Sequence, residues 1–117
     1  MSEHPEDLSA EDAKLVTLAR ATRARARAIE GAAVRDLDGR TYAAASVRLE
    51  HLSLSALEVC VAMALSSGST GLEAGVVLTD GDAPDLAAVS DFAGATVPVL
   101  VGDPRGGIHT RLTTPGV

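Results

Sequence analysis

The sequence has almost no aromatic residues and only one cysteine. Its aromatics are Tyr42 and Phe92, tryptophan is absent, and Cys60 has no partner for an intrachain disulfide. A chain of 117 residues that is 46% hydrophobic must therefore build its core from aliphatic side chains, which bury less area per residue than aromatic ones. We expect one globular domain over residues 1–117 that gains stability by forming a homo-oligomer.

The chain also lacks any long apolar run. None of its hydrophobic stretches approaches the roughly 20 residues that span a bilayer. Its first residues are acidic and polar, unlike those of a secretory signal peptide. These absences predict a soluble, cytoplasmic protein with no membrane partner.

Charge is unevenly distributed along the first third of the chain. The net charge is −6, with acids concentrated before residue 13 and bases from Lys14 to Arg27. The simplest interpretation is a solvated helix whose charged ends complement its macrodipole. The alternatives are a basic patch of Arg20, Arg23 and Arg27 that binds RNA or another polyanion, or a surface for a partner protein. Nucleic acid is an unlikely partner, because the chain is acidic overall and offers few aromatics for base stacking.

Hydrophobic spacing and capping residues predict three helices. After a loose tail at residues 1–8, Ser9 caps a first helix over about 10–29. Ser53 or Ser55 caps a second helix that runs to about Ser67. Asp82 caps a third helix over about 84–93, with Pro84 in its first turn.

Strand signals lie between these helices. Asp38-Gly39 is typical of a hairpin turn, and the predicted strands cover residues 31–35, 40–47, 75–79, 97–101 and 108–113. The connection before the last strand is too short for a parallel crossover, so strands four and five should be antiparallel. The order predicts an α/β fold: a three-layer α/β/α sandwich with a five-stranded mixed sheet and helices on both faces.

Three short segments of this chain have an order and spacing that resemble those of a known protein family. They are Gly31-Ala32-Ala33-Val34, then Asp38-Gly39-Arg40-Thr41-Tyr42, then Ser55-Ala56-Leu57-Glu58. With its element order, the chain resembles the cytidine deaminase-like family over most of its length. The resemblance implies that family's fold and its assembly into dimers or tetramers.

The resemblance also indicates where a catalytic metal is expected. The family opens its second helix with Cys-Ala-Glu or His-Ala-Glu, where the first residue binds zinc and the glutamate shuttles protons; this chain has Ala56-Leu57-Glu58. The family opens its third helix with Pro-Cys-x-x-Cys, and here Asp85 and Ala88 follow Pro84 at the cysteine positions. Because a catalytic zinc needs three protein ligands, we predict a divergent member with no metal, no cofactor and no zinc-dependent nucleoside deamination.

Other functional positions of the family differ as well. Nucleoside-binding members place an aromatic residue where this chain has Ala28, and an Asn-x-Glu segment where it has Ser46-Val47-Arg48. Cys60 is interpreted as a core residue, and His51 and His109 as surface or capping residues, rather than as replacement ligands.

Three functions remain open from the sequence. The first is a non-catalytic protein that acts through oligomerisation or binding, for which the small residues Ala56, Ala62 and Ala64 on helix two suit close packing. The second is a zinc-independent enzyme or ligand-binding protein that uses Glu58 as an acid or base, although the Ser55–Glu58 spacing also fits a helix cap. Its remnant pocket would consist of Ser46, Arg48, Ala56, Asp85 and Ala88. The third is an RNA-associated accessory protein that uses the Arg20–Arg27 helix.

Overall fold

The computed structural model describes residues 8–116, which contain three helices and seven strands. The helices are α1 (Ala10–Ala26), α2 (Ala56–Ser66) and α3 (Ala87–Ala93). The strands are β1 (Gly31–Asp36), β2 (Thr41–Ala45), β3 (Val47–Arg48), β4 (Ser53–Leu54), β5 (Leu72–Leu78), β6 (Pro98–Gly102) and β7 (Ile108–Thr113). None of the helices in this part of the chain is long and apolar enough to cross a membrane.

Five strands form one mixed sheet in the order β2-β1-β5-β6-β7. Among the strands within residues 8–116, only β5 and β6 are parallel, and β6 and β7 are antiparallel as their short connection predicts. The predicted mixed sheet is therefore confirmed. The short strands β3 and β4 form a separate hairpin, which sequence prediction missed because strands of two residues carry no readable alternation.

The two faces of the sheet carry separate hydrophobic cores. One core lies between the sheet and α1 and is formed by Leu15, Val16, Ala19, Ala33, Ala74, Val76, Leu78, Leu100 and Ile108. The other lies under α2 and α3 and includes Ala32, Val34, Leu57, Cys60, Ala64, Val77, Val89 and Val99. Successive β1 residues alternate between these cores, as the pleat of a strand requires. The three-layer α/β/α arrangement is thus confirmed.

The helix α1 lies very close to the first strand. A Cβ placed on Gly31 would lie 2.3 Å from the carbonyl oxygen of Ala19 and 2.6 Å from Cβ of Arg23. Gly31 opposes Ala45, and Ala33 opposes Ala43, across the β1–β2 pair. Small side chains at this edge let the helix approach the sheet closely, so the aliphatic core between them is thin.

Two predicted helix boundaries are wrong. The first helix ends at Ala26 rather than near 29, because Arg27 adopts a left-handed conformation (φ 54°) and its N–H donates to Ala24 O. The third helix begins at Ala87 rather than 84, and Asp82 does not cap it. Asp85 instead accepts a hydrogen bond from the Ala87 amide at 2.9 Å in a turn before the helix.

Most of the predicted N-terminal tail, residues 1–8, lies outside the described residues. Leu8, its last residue, packs against the core beneath α1. The first helix then begins where the sequence predicts, because Ser9 Oγ accepts the Asp12 amide at 3.1 Å. Arg35 of β1 secures that first turn to the sheet through an ion pair of 3.1 Å with Asp12.

Candidate functional site

The N-terminus of α2 is held by a capping box. Ser55 Oγ accepts the Glu58 amide at 3.0 Å, and Glu58 Oε1 accepts the Ser55 amide at 2.8 Å. Glu58 is exposed to solvent. Its carboxylate therefore performs the capping role that the Ser55–Glu58 spacing predicts, and it lies on the outside of the helix terminus rather than in an enclosed pocket.

Glu30 is a residue of this region that the sequence analysis missed. Its Oε1 accepts the Ala56 amide at 3.3 Å. Its backbone is fixed by Ser46, because the Glu30 N–H donates to Ser46 Oγ and the Ser46 N–H donates to the Glu30 carbonyl, each at 3.1 Å. Glu30 thus joins the start of β1, the end of β2 and the first turn of α2. The available signal was a carboxylate directly before the buried strand that begins at Gly31.

The remaining members of the predicted pocket are dispersed. Arg48 is exposed on β3. Asp85 is exposed and lines a groove of about 430 Å³ beside Leu112, whereas Ala88 is half-buried and lines a different groove of about 380 Å³ beside Phe92. The structure therefore brings Ser46 and Ala56 together through Glu30, and it does not bring Asp85 and Ala88 to a shared groove.

Two of the positions where the resemblance implies metal ligands have no donor atoms for a zinc ion. Ala56 is fully buried and Ala88 packs against the core beneath α2, so both present methyl groups. Cys60 is also buried, and burial raises the pKa of its thiol to about 12, which disfavours the thiolate that binds metal. Within residues 8–116 no group of three His, Cys, Asp or Glu side chains could hold a metal ion.

The three arginines of the predicted basic patch have different surroundings. Arg23 is half-buried, and its Nη1 donates to the Ala28 carbonyl at 3.1 Å, which stabilises the chain reversal after α1. Arg20 is exposed and donates to the Arg105 carbonyl at 3.5 Å. Arg27 is exposed at the helix terminus. Of the three, Arg23 thus has a guanidinium nitrogen engaged in a local contact that holds this chain reversal.

A buried polar cluster lies at the opposite end of β1 from Glu30. Asp36 is almost fully buried; its carboxylate accepts the Ser69 hydroxyl and, at 2.9 Å each, the Asp38 and Arg40 amides. The Tyr42 hydroxyl lies 3.2 Å from Ser69 Oγ. The Ser69 hydrogen bond, together with these amides, lowers the pKa of Asp36. The cluster connects the β1–β2 turn to the loop after α2, two segments that lie far apart in the sequence.

The fold is shared with known proteins. The family model for cytidine deaminase-like proteins matches residues 8–106, while no curated protein sequence matches the chain. The structure is similar to that of a cytidine deaminase from Burkholderia pseudomallei, with a TM-score of 0.74 and 21% identity over 91% of this chain and 93% of that one. It is also similar to a cytidine deaminase from Mycobacterium leprae, with a TM-score of 0.67 and 19% identity over 91% of this chain and 94% of that one. The chain belongs to the cytidine deaminase-like family.

Proposed function

We propose that this chain is a non-catalytic member of the cytidine deaminase-like family that acts through assembly or binding. The observation that carries the proposal is the side-chain chemistry at the starts of α2 and α3. Ala56 and Ala88 have no donor atoms, and Asp85 is exposed and accepts the Ala87 amide. A hydrolytic zinc site needs three protein ligands around an open position, and these residues do not supply them.

Elemental analysis of purified protein, together with a cytidine deamination assay, tests the loss of the metal site. We expect zinc far below one equivalent per chain and no deamination above background. Stoichiometric zinc retained through dialysis, or zinc-dependent turnover, would overturn the proposal.

The geometry favours this proposal over a zinc-independent pocket that uses Glu58. The carboxylate of Glu58 is exposed and accepts the Ser55 amide. It is therefore not enclosed in a pocket where it could act on a bound substrate as an acid or base. Glu58→Gln retains an acceptor oxygen for the cap. We expect it to leave ligand binding and turnover unchanged and to alter only stability; a change in ligand affinity at constant melting temperature would support the pocket.

The outer face of α2 and α3 is the surface that best supports assembly. Leu65 is 58% exposed, and it lies with Val61, Ala88 and Phe92 around the groove of about 380 Å³, which Asp91 also lines. Apolar surface of this kind gains stability when a partner covers it. The proposed partner is a second copy of the chain, in keeping with the assembly that the family resemblance implies.

Light scattering of the full chain at micromolar concentration tests this surface. Leu65→Glu places a charge in the groove and should shift the protein towards monomer. Leu37→Glu is the matched control, because Leu37 is 59% exposed in the turn after β1. A wild-type protein that is monomeric, or two variants with equal effects, would exclude assembly through this face.

A further inference from the structure

The first turn of α2 begins at the position where the family carries a metal ligand, yet its backbone amides still need partners. A helix N-terminus exposes N–H groups that have no acceptor within the helix and carries a partial positive charge. Here Glu58 satisfies the Ser55 amide, Ser55 satisfies the Glu58 amide, and Glu30 satisfies the Ala56 amide. Of these acceptors, only Glu30 comes from another part of the fold.

The backbone of Glu30 is fixed before its side chain reaches the helix. Two hydrogen bonds of 3.1 Å join its N–H and C=O to Ser46. Its half-buried side chain then extends to the Ala56 amide, 26 residues away in sequence. Because Ala56 itself is fully buried, the amide it presents lies where solvent cannot readily replace a lost acceptor.

We propose that Glu30 is an internal anion that closes the N-terminus of α2, taking up the positive end of the helix where the family's motif has a metal-binding side chain. Glu30 joins three segments in place of a coordination bond: its backbone bonds hold the start of β1 to the end of β2, and its carboxylate bonds to the start of α2. An external anionic ligand reaches the Ala56 amide only by displacing Glu30. The first amide of α2 is therefore satisfied by the protein's own side chain.

Chemical rescue tests this role. Glu30→Ala removes the carboxylate and leaves space for a small one. We expect the melting temperature of this variant to fall by about 4–8 °C, the shift that roughly corresponds to losing one charged hydrogen bond. Sodium formate, titrated at constant ionic strength against sodium chloride, should restore part of that loss.

The controls separate the specific effect from a general effect of formate. Wild-type protein and Glu50→Ala, which removes an exposed carboxylate in the turn between β3 and β4, should show no differential response to formate. A Glu30→Ala variant that melts like the wild type would overturn the proposal, and so would a formate response of equal size in all three proteins.

A second variant covers the case in which Glu30→Ala does not fold. Glu30→Met keeps the length of the side chain and removes the acceptor. Hydrogen exchange of the Ala56 amide should then be faster than in the wild type, while exchange in α1 is unchanged; equal exchange at Ala56 would refute the role of Glu30. The inference rests on the proposed loss of the metal site, but these readouts are stability and exchange rather than zinc content or turnover, so the two proposals can fail separately.

Discussion

Replacing Gly31 with alanine tests how closely α1 lies against the sheet. The added methyl group would meet the Ala19 carbonyl oxygen at 2.3 Å and Cβ of Arg23 at 2.6 Å. Neither atom is the flexible end of a side chain. Because ordinary carbon contacts lie near 3.5 Å, the helix and strand would have to separate by roughly 1 Å.

The loss of stability that this separation causes can be estimated from other overpacked cores. Forcing an additional methyl group into a well-packed site destabilises by about 1–3 kcal/mol. With a urea m-value of about 1–2 kcal/mol per molar, the unfolding midpoint of Gly31→Ala should fall by about 0.5–3 M. Circular dichroism in urea measures this directly.

Gly75→Ala is the matched control in the neighbouring strand β5. Its Cβ would meet Cγ1 of Val34 at 3.4 Å, an ordinary contact. Alanine also reduces the conformational freedom of the unfolded chain, so this variant should be neutral or more stable by up to about 1 kcal/mol. If Gly31→Ala proves as stable as Gly75→Ala, α1 does not pack on β1 as described, and the glycine of this family segment has a different role.

Three further predictions concern groups that the fold buries or caps. The Cys60 thiol, whose pKa burial raises to about 12, should not react with Ellman's reagent in native protein near pH 8 and should react fully in denaturant; rapid native labelling would contradict its burial. The pKa of Asp36 is lowered by the Ser69 hydroxyl and by backbone amides, so the native state binds fewer protons than the unfolded chain. The stability that Asp36 contributes is present above about pH 4 and is lost as the pH falls further. Ser69→Ala removes one cause of the lowered pKa, so the free energy of unfolding should fall less steeply with acid in this variant than in the wild type. Equal declines in the two proteins would refute the coupling between Ser69 and Asp36. Ser55→Ala should lower stability by about 1 kcal/mol through loss of the α2 cap, whereas Ser53→Ala, at an exposed position on β4, should have little effect in the same thermal unfolding assay.

Local interactions made much of the fold predictable. Ser9 and Ser55 cap helices through bonds to the third residue of the same helix, so the sequence pattern contains both partners. The last strand was predicted over 108–113 and is observed as Ile108–Thr113, because its bounds follow from turn residues next to it. The start of α3 was predicted too early, because proline and aspartate signals favour both a helix start and a turn before one.

The candidate site was less predictable than the fold, because the contacts of its residues depend on distant parts of the chain. The positions where the resemblance implies metal ligands can be read from the segments around Ala56 and Asp85. Their surroundings cannot be read in this way. Asp85 and Ala88 lie only three positions apart, but the structure directs them to different grooves.

Residue types and their spacing along the chain were enough to predict an aliphatic core, two helix caps, a five-stranded mixed sheet, and alanines where the resemblance implies metal ligands. Which polar side chains from distant segments bond to one another depends on the tertiary structure. Glu30 reaches Ala56 across 26 positions, and Asp36 reaches Ser69 across 33. Such pairs leave no pattern in the sequence. Strand pairing and helix docking bring the two residues together, and their separation along the chain does not indicate that they will be in contact.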